Sequence, residues 1–296
     1  MVRKELKAWM GVAVFLGFSA SCAFAQEIPL DDLCNQMTKA RGEGKYDVLA
    51  PLCDQILARR DSSAETRAQA KLYKVDSMVA KKMPPEKIAE EFAKLETDSD
   101  FVGMWPIHLR LNEAQTLCAL NGYAEKAAKA AGDGIALIRK AMEASAQKPD
   151  MNLWDRMILM ADANGVALKQ LDRDEDAAEL SYTVLKEADE AGVCFRAMTG
   201  LIDRSQYFLK MKAPDKALET GAHMLGVVSR TKNTSEVGVA IKRIQDNEPE
   251  KAGASAEAKA KLKAALLAVE KIVFSEKEAS AGVTVTTQAK ALAAKL

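Results

Sequence analysis

Histidine is scarce in this chain: His108 and His223 are the 2 found in 296 residues. They fall in different helical segments, with no carboxylate motif beside either, so both read as structural. There is no G-x-S-x-G, no Walker loop and no H-E-x-x-H, which removes the common sequence signatures of hydrolases, nucleotide hydrolysers and zinc proteases. Aromatics are only 5% of the residues. Runs of Val, Ile, Thr and aromatics of strand length are nearly absent, which excludes a fold built on sheets. The formal net charge is +0. A chain without excess cations has no electrostatic basis for nucleic-acid binding or for a polybasic membrane contact. Its 5 cysteines include no C-x-x-C, so neither a zinc knuckle nor a redox pair is expected.

What is present favours helix. Apolar residues make up 48%, and Ala, Leu, Lys and Glu abound. These are strong helix formers. The first 25 residues stand apart. Arg3, Lys4 and Lys7 precede an uncharged run from Ala8 to Phe18, and Ala23-Phe24-Ala25 follows. This is the layout of a secretory signal peptide cleaved between Ala25 and Gln26. The run is too short for a span, which needs about 20 apolar residues. Cleavage would leave a weakly acidic mature chain without a transmembrane span, in the periplasm or secreted. Lipidation at Cys22 is not expected, because Ser19 stands where a bacterial lipobox usually wants Leu.

Four cysteines remain after cleavage: Cys34, Cys53, Cys118 and Cys194. Cys34 and Cys53 fall on the two helices of one hairpin. A bridge between them would stabilise by about 3 kcal/mol in the chain-entropy model. Two buried thiols are the alternative. Cys118 and Cys194 are left unpaired.

From residue 30 to 247 the pattern alternates helix, short turn, helix. Leu33, Met37 and Ala40 mark the first helix, and Gly42 and Gly44 end it. Leu49, Leu52, Cys53 and Ile56 mark the second. Ser62 and Glu65 have the spacing of a capping box for the third. Pro85 opens the fourth, with Ile88, Phe92 and Leu95 inward. Gly132 and Gly134 sit inside a long helix, where each costs about 1 kcal/mol against Ala. Close approach of a neighbouring helix, or a kink, would account for them. An apolar residue follows the turn before each second helix: Leu49, Ile88, Ala127, Ala177 and Ala217. The separations are 39, 39, 50 and 40 residues, the range of a helical solenoid.

The turns themselves resemble tetratricopeptide repeats. Gly44-Lys45-Tyr46-Asp47-Val48-Leu49 is similar to that family's G-x-Y-x-x-A turn. Asn164-Gly165-Val166-Ala167-Leu168 followed by Leu171 and Ala177 resembles its L-G-x-x-Y…L…A pattern. Phe208 with Ala213-Pro214-Asp215-Lys216-Ala217-Leu218-Glu219 resembles its Y…D-Y-D-K-A-L-E stretch, and Asn121 to Ala127 fits with one extra turn residue. The chain departs from the family in its longer period, in the missing first-helix aromatic and in residues 84–95. The resemblance implies an all-α, right-handed solenoid of about five antiparallel hairpins over residues 26–247. It also implies protein or peptide binding along the first helices, with no cofactor or metal. The family's Lys and Asn peptide clamp does not carry over, since Leu33, Cys34, Ile202 and Leu209 do not supply it.

Residues 248–296 are rich in Ala and Lys. Leu262, Ala265, Leu266, Val269, Ile272 and Val273 form a stripe expected to cap the array. The last residues, from Gly282 on, are expected to be loosely held. Asp172, Asp174 and Asp176 match half an EF-hand loop. Ala177 then replaces the required Gly and Thr183 the required Glu, so they read as acids at a helix N-terminus. The expectation is an exported, non-catalytic scaffold. Its rivals are an envelope-assembly lipoprotein, which needs a lipidated Cys22, and a helical cell-wall glycosidase. The glycosidase needs a tuned acid in a pocket, and the sequence nominates none. Trp105 and Trp154 read as core.

Overall fold

The structure, a computed structural model, describes residues 28–195 and 205–296. Cys22, Ala25 and Gln26, with the whole leader, lie outside the described residues, as do Leu201 and Ile202. Among the described residues every regular element is helical, and there is no strand. No helix of theirs is long and apolar enough to cross a membrane. The helices are α1 (Leu30–Gly42), α2 (Tyr46–Ala58), α3 (Ala64–Ala80), α4 (Pro85–Leu95), α5 (Trp105–Cys118), α6 (Ala124–Ala144) and α7 (Met151–Gln170). They continue with α8 (Asp174–Glu190), α9 (Ser205–Lys210), α10 (Pro214–Ser229), α11 (Thr234–Asp246), α12 (Ala256–Ala268) and α13 (Ala279–Lys295).

One turn recurs and sets the geometry. At the ends of α1, α3, α7, α8 and α9, the residues Gly44, Lys82, Asp172, Gly192 and Lys212 take left-handed φ of 68°, 52°, 55°, 69° and 60°. The next residue's N–H then reaches back to a carbonyl five residues earlier. The pairs are Lys45 to Ala40 at 2.8 Å, Met83 to Met78 at 3.1 Å, Arg173 to Leu168 at 2.9 Å, Val193 to Ala188 at 3.2 Å and Ala213 to Phe208 at 2.7 Å. This is the Schellman motif, which satisfies the orphan carbonyls of the helix end and reverses the chain. A buried apolar residue follows five positions after the left-handed one: Leu49 after Gly44, Ala127 after Gly122, Ala177 after Asp172, Ala217 after Lys212. Ile88 comes one residue later, because Pro84 and Pro85 form the helix start.

The core follows chain order. A first cluster joins Leu33, Met37, Leu49, Cys53 and Ile56 of α1 and α2 to Ala70 of α3. A second joins Val75 of α3, Ile88 and Phe92 of α4, and Leu109 and Leu117 of α5, to Ala127 and Ala167. A third runs from Ile107 and Ala131 through α7, α8 and α10 to the C-terminal helices. Burying a Leu, Ile or Phe side chain stabilises by about 1.5–3 kcal/mol. Each cluster therefore ties helices that are near neighbours in sequence.

Polar contacts fasten the same neighbours. The loop after α4 is held to α3 by Asp100, only 6% exposed. Its carboxylate accepts from Arg67 Nε at 2.9 and 3.0 Å, Arg67 Nη2 at 2.5 Å and Lys71 Nζ at 2.6 Å. Lys71 also donates to Asp98 at 2.5 Å, and Asp98 in turn caps the Asp100 amide at 2.9 Å.

Three expectations need correction. The cap of α3 is Ser63, which accepts from Thr66 N at 3.1 Å; Ser62 is buried and donates to the Ile56 carbonyl at 2.8 Å. Helix α12 stops at Ala268, and the stripe continues past it only in part: Val269 is buried and Ile272 packs against the core, but Val273 is 77% exposed. The segment from Gly282 on is docked rather than loose. Val285, Ala289, Leu292 and Ala293 of α13 are buried, and α13 contacts α11 and α12. Gly282 makes this docking close, since a Cβ there would lie 2.6 Å from the Phe274 ring.

The two glycines of α6 differ. A Cβ on Gly134 would meet Met160 Cε at 2.2 Å and Arg110 Cβ at 3.1 Å, whereas one on Gly132 would meet nothing within 4 Å. Close approach of α5 and α7 explains Gly134 alone.

Candidate functional site

Helices α1, α3, α5 and α7 carry a ladder of polar side chains. Arg41 of α1 donates from Nε to Asp76 of α3 at 2.6 Å, and its guanidinium lies 4.5 Å from the Tyr73 ring centroid. Asn112 of α5 donates from Nδ2 to the other Asp76 oxygen at 3.2 Å. Further along, Arg156 of α7 donates from Nη2 to His108 Nε2 of α5 at 3.1 Å. Arginine can only donate, so His108 accepts and is the neutral tautomer with its proton on Nδ1. Burial lowers the His108 pKa and the Arg156 charge lowers it further, consistent with the neutral form. Burial works against the Arg41 charge, and Asp76 outweighs it, so its pKa is raised.

The partners in this ladder are 35, 36 and 48 residues apart. Helical register places them side by side. The ladder is not fully satisfied. Asn112 Oδ1 and Arg156 Nε are buried and make no hydrogen bond to another described residue.

A second polar seam joins α8, α10 and α12. Asp189 meets His223 Nδ1 at 2.9 Å and accepts from Arg230 Nη2 at 2.7 Å. Burial pushes the Asp189 carboxyl up, but His223 and Arg230 outweigh it and hold its pKa below the ordinary value. The seam is packed tightly, since a Cβ on Gly226 of α10 would fall 2.2 Å from Asp189 Oδ1. Tyr182 donates to Glu219 at 3.1 Å, and Lys261 donates to the other Glu219 oxygen at 2.6 Å. These pairs bind one helix to the next.

The residues singled out from the sequence are placed by the structure as follows. Leu33 and Leu49 lie in the first cluster, and Tyr46 is half-buried against it. Ile88, Phe92 and Ala127 are buried together in the second. Phe208 and Ala217 are buried in the third. Gly165 is buried within α7, and Ala177 is fully buried at the start of α8. Cys34 and Cys53 are free thiols, so the expected bridge is not made. Cys53 is fully buried within the first cluster, while Cys34 sits half-buried at its margin. Burial pushes the Cys53 thiol up to about 12.

Sequence reasoning missed the carboxylate beside His223. Asp189 precedes it by 34 residues, a distance that only the hairpin register turns into contact. Glu179 and Lys216, and Tyr182 and Glu219, are each 37 apart in the same two helices. That recurring offset was the available signal. No family model, curated protein or solved structure matches the chain.

Proposed function

We propose that this chain is an exported, non-catalytic scaffold that binds a protein or peptide partner. In this reading α1 to α11 form a right-handed solenoid of about five tetratricopeptide-like hairpins, closed by α12 and α13. The observation that carries it is the combination of one recurring Schellman turn with polar partners about one hairpin apart. A stack in which each repeat touches its neighbours has that pattern and presents a broad continuous face. The ladder from Arg41 to Arg156 lies on the first helices, where the family resemblance places binding.

Export rests on the three-part leader of residues 1–25, and places the mature chain in the periplasm or outside the cell. Two measurements test the reading. Mass spectrometry of the mature protein should find an N-terminus at Gln26; a lipidated chain starting at Cys22 would replace the soluble scaffold with an anchored one. Affinity capture from native envelope should recover a partner that is lost when Arg41 and Asn112 are both replaced by Glu. Capture unchanged by that pair would mean that the first-helix face does not bind the partner.

A further inference from the structure

The chain holds the dipeptide Asn-Gly twice, and the structure puts the two copies in opposite surroundings. Asn121 and Gly122 form the turn between α5 and α6. Both are exposed, and they line an open recess of about 610 Å³ beside Lys126 and Gln170. Gly122 has φ of 82°, and the space where a Cβ would stand is open. Among the described residues neither the Asn121 side chain nor the Gly122 N–H has a hydrogen-bond partner. The turn is held by the Tyr123 N–H, which donates to the Leu120 carbonyl at 3.3 Å. Asn164 and Gly165, by contrast, lie inside α7 and are buried. There the Gly165 N–H belongs to the helical ladder, which bonds it to the carbonyl four residues earlier.

An asparagine side chain is an amide that the next backbone nitrogen can attack. The attack needs an unhindered nitrogen and a backbone free to bring it to Cγ. Glycine, without a Cβ, meets the first need at both sites. Asn121 alone meets the second. No hydrogen bond holds the Gly122 nitrogen, and an exposed turn reorients by local motion. At Asn164 the helix must first open, which costs free energy.

We propose that Asn121 is a modification site that the chain converts by itself, with water as the co-reactant. The Gly122 nitrogen gives its proton to solvent base and attacks Asn121 Cγ. A new C–N bond closes a five-membered succinimide. The bond from Cγ to the side-chain nitrogen breaks, and that nitrogen takes a proton and leaves as ammonia. Water then adds to either ring carbonyl and breaks its bond to the ring nitrogen. Opening at Cγ gives an aspartate at position 121. Opening at the backbone carbonyl gives an isoaspartate, whose main chain runs through the former side chain. One water is consumed and one ammonia released, with no change of oxidation state. Either product puts a carboxylate just before the Tyr123 N-cap of α6, where the helix dipole favours it. The isoaspartate also lengthens the main chain by one C–C bond, about 1.5 Å. That bond falls inside the segment spanned by the Leu120–Tyr123 contact, so the turn loosens. The change lies beside the Cys118 carbonyl, to which Gln170 of α7 donates at 2.8 Å.

The test incubates the full mature chain, folded, in mildly alkaline buffer and follows it by tryptic mass spectrometry. Arg110 and Lys126 bound the peptide that carries Asn121, and Arg156 and Lys169 bound the one that carries Asn164. Fragment spectra should place a gain of one mass unit at Asn121, faster as the pH rises, in two chromatographically separate forms, aspartyl and isoaspartyl. Asn164 should convert at least about tenfold more slowly, a factor that an opening cost of about 1.4 kcal/mol already supplies. In urea the two sites lose their different surroundings and should convert at comparable rates. The proposal is overturned if Asn121 converts in urea but not in the folded chain, or if Asn164 keeps pace with it in the folded chain. An aspartyl product without the isoaspartyl one would exclude the ring and overturn it too.

Discussion

Replacing Asp100 by Asn removes a carboxylate that accepts hydrogen bonds from both Arg67 and Lys71. Arg67 is the main cause of a pKa held at about 2, with burial opposing and Lys71 adding to the drop, against an ordinary value of 3.8. One unit of pKa corresponds to about 1.4 kcal/mol, so the shift sets an upper bound near 2.5 kcal/mol. Arg67 and Lys71 are 32% and 22% exposed at their side chains, and solvent screening lowers the contribution to about 1–2 kcal/mol. The sign follows from linkage. The folded-state pKa lies below the unfolded one, so the stabilisation is complete above about pH 5. It declines as pH falls through the interval between the two values and is gone below the folded pKa. Urea unfolding followed at 222 nm should therefore show Asp100→Asn less stable by about 1–2 kcal/mol at pH 7, with the gap reduced by about half at pH 3. Equal stability at pH 7, or a gap that does not shrink with acid, would refute the reasoning.

The left-handed turns and the α6 glycines give independent expectations. Lys212→Gly and Lys82→Gly should each stabilise by about 0.5–1 kcal/mol, because a side chain is strained at φ of 60° and 52°; thermal unfolding that shows a loss instead would mean the turns are not left-handed. Gly132→Ala should stabilise by up to about 1 kcal/mol. Gly134→Ala should give no such gain, since the new methyl meets Met160 and Arg110; calorimetry on the pair separates the two sites. In unreduced native protein Cys34 should alkylate well before Cys53, which is buried with its thiol pushed up to about 12. Peptide mapping that recovers a joined Cys34–Cys53 fragment would contradict the free-thiol arrangement.

The hairpins were legible because they rest on local chemistry. A turn residue that tolerates left-handed φ, followed by an apolar residue about one turn into the next helix, is a short-range signal, and Leu49, Ala127, Ala177 and Ala217 all display it. Ser62 and Ser63 show the limit of such signals. Both can cap, and Ser62 goes to the Ile56 carbonyl because that acceptor comes from the preceding helix. The final helix was obscured by composition. Gly282, Thr284, Thr286 and Thr287 dilute a stripe whose buried members are Val285, Ala289, Leu292 and Ala293. The lock at Asp100 was hidden for another reason. Its partner Arg67 is 33 residues away, and the loop bearing Asp100 has no periodicity from which to infer a facing residue. The ladder and the Asp189–His223 contact share that property: each arises from register between helices, which residue patterns within one helix do not contain.

If successive helix pairs stack in a row, as proposed, the molecule is elongated and each pair meets its neighbours. Small-angle X-ray scattering of the monomer tests this most directly. A compact globule of this length would have a radius of gyration of about 19 Å. The stacked arrangement predicts a clearly larger radius and a skewed distance distribution with a long tail, and a symmetric distribution at the globular radius would contradict it.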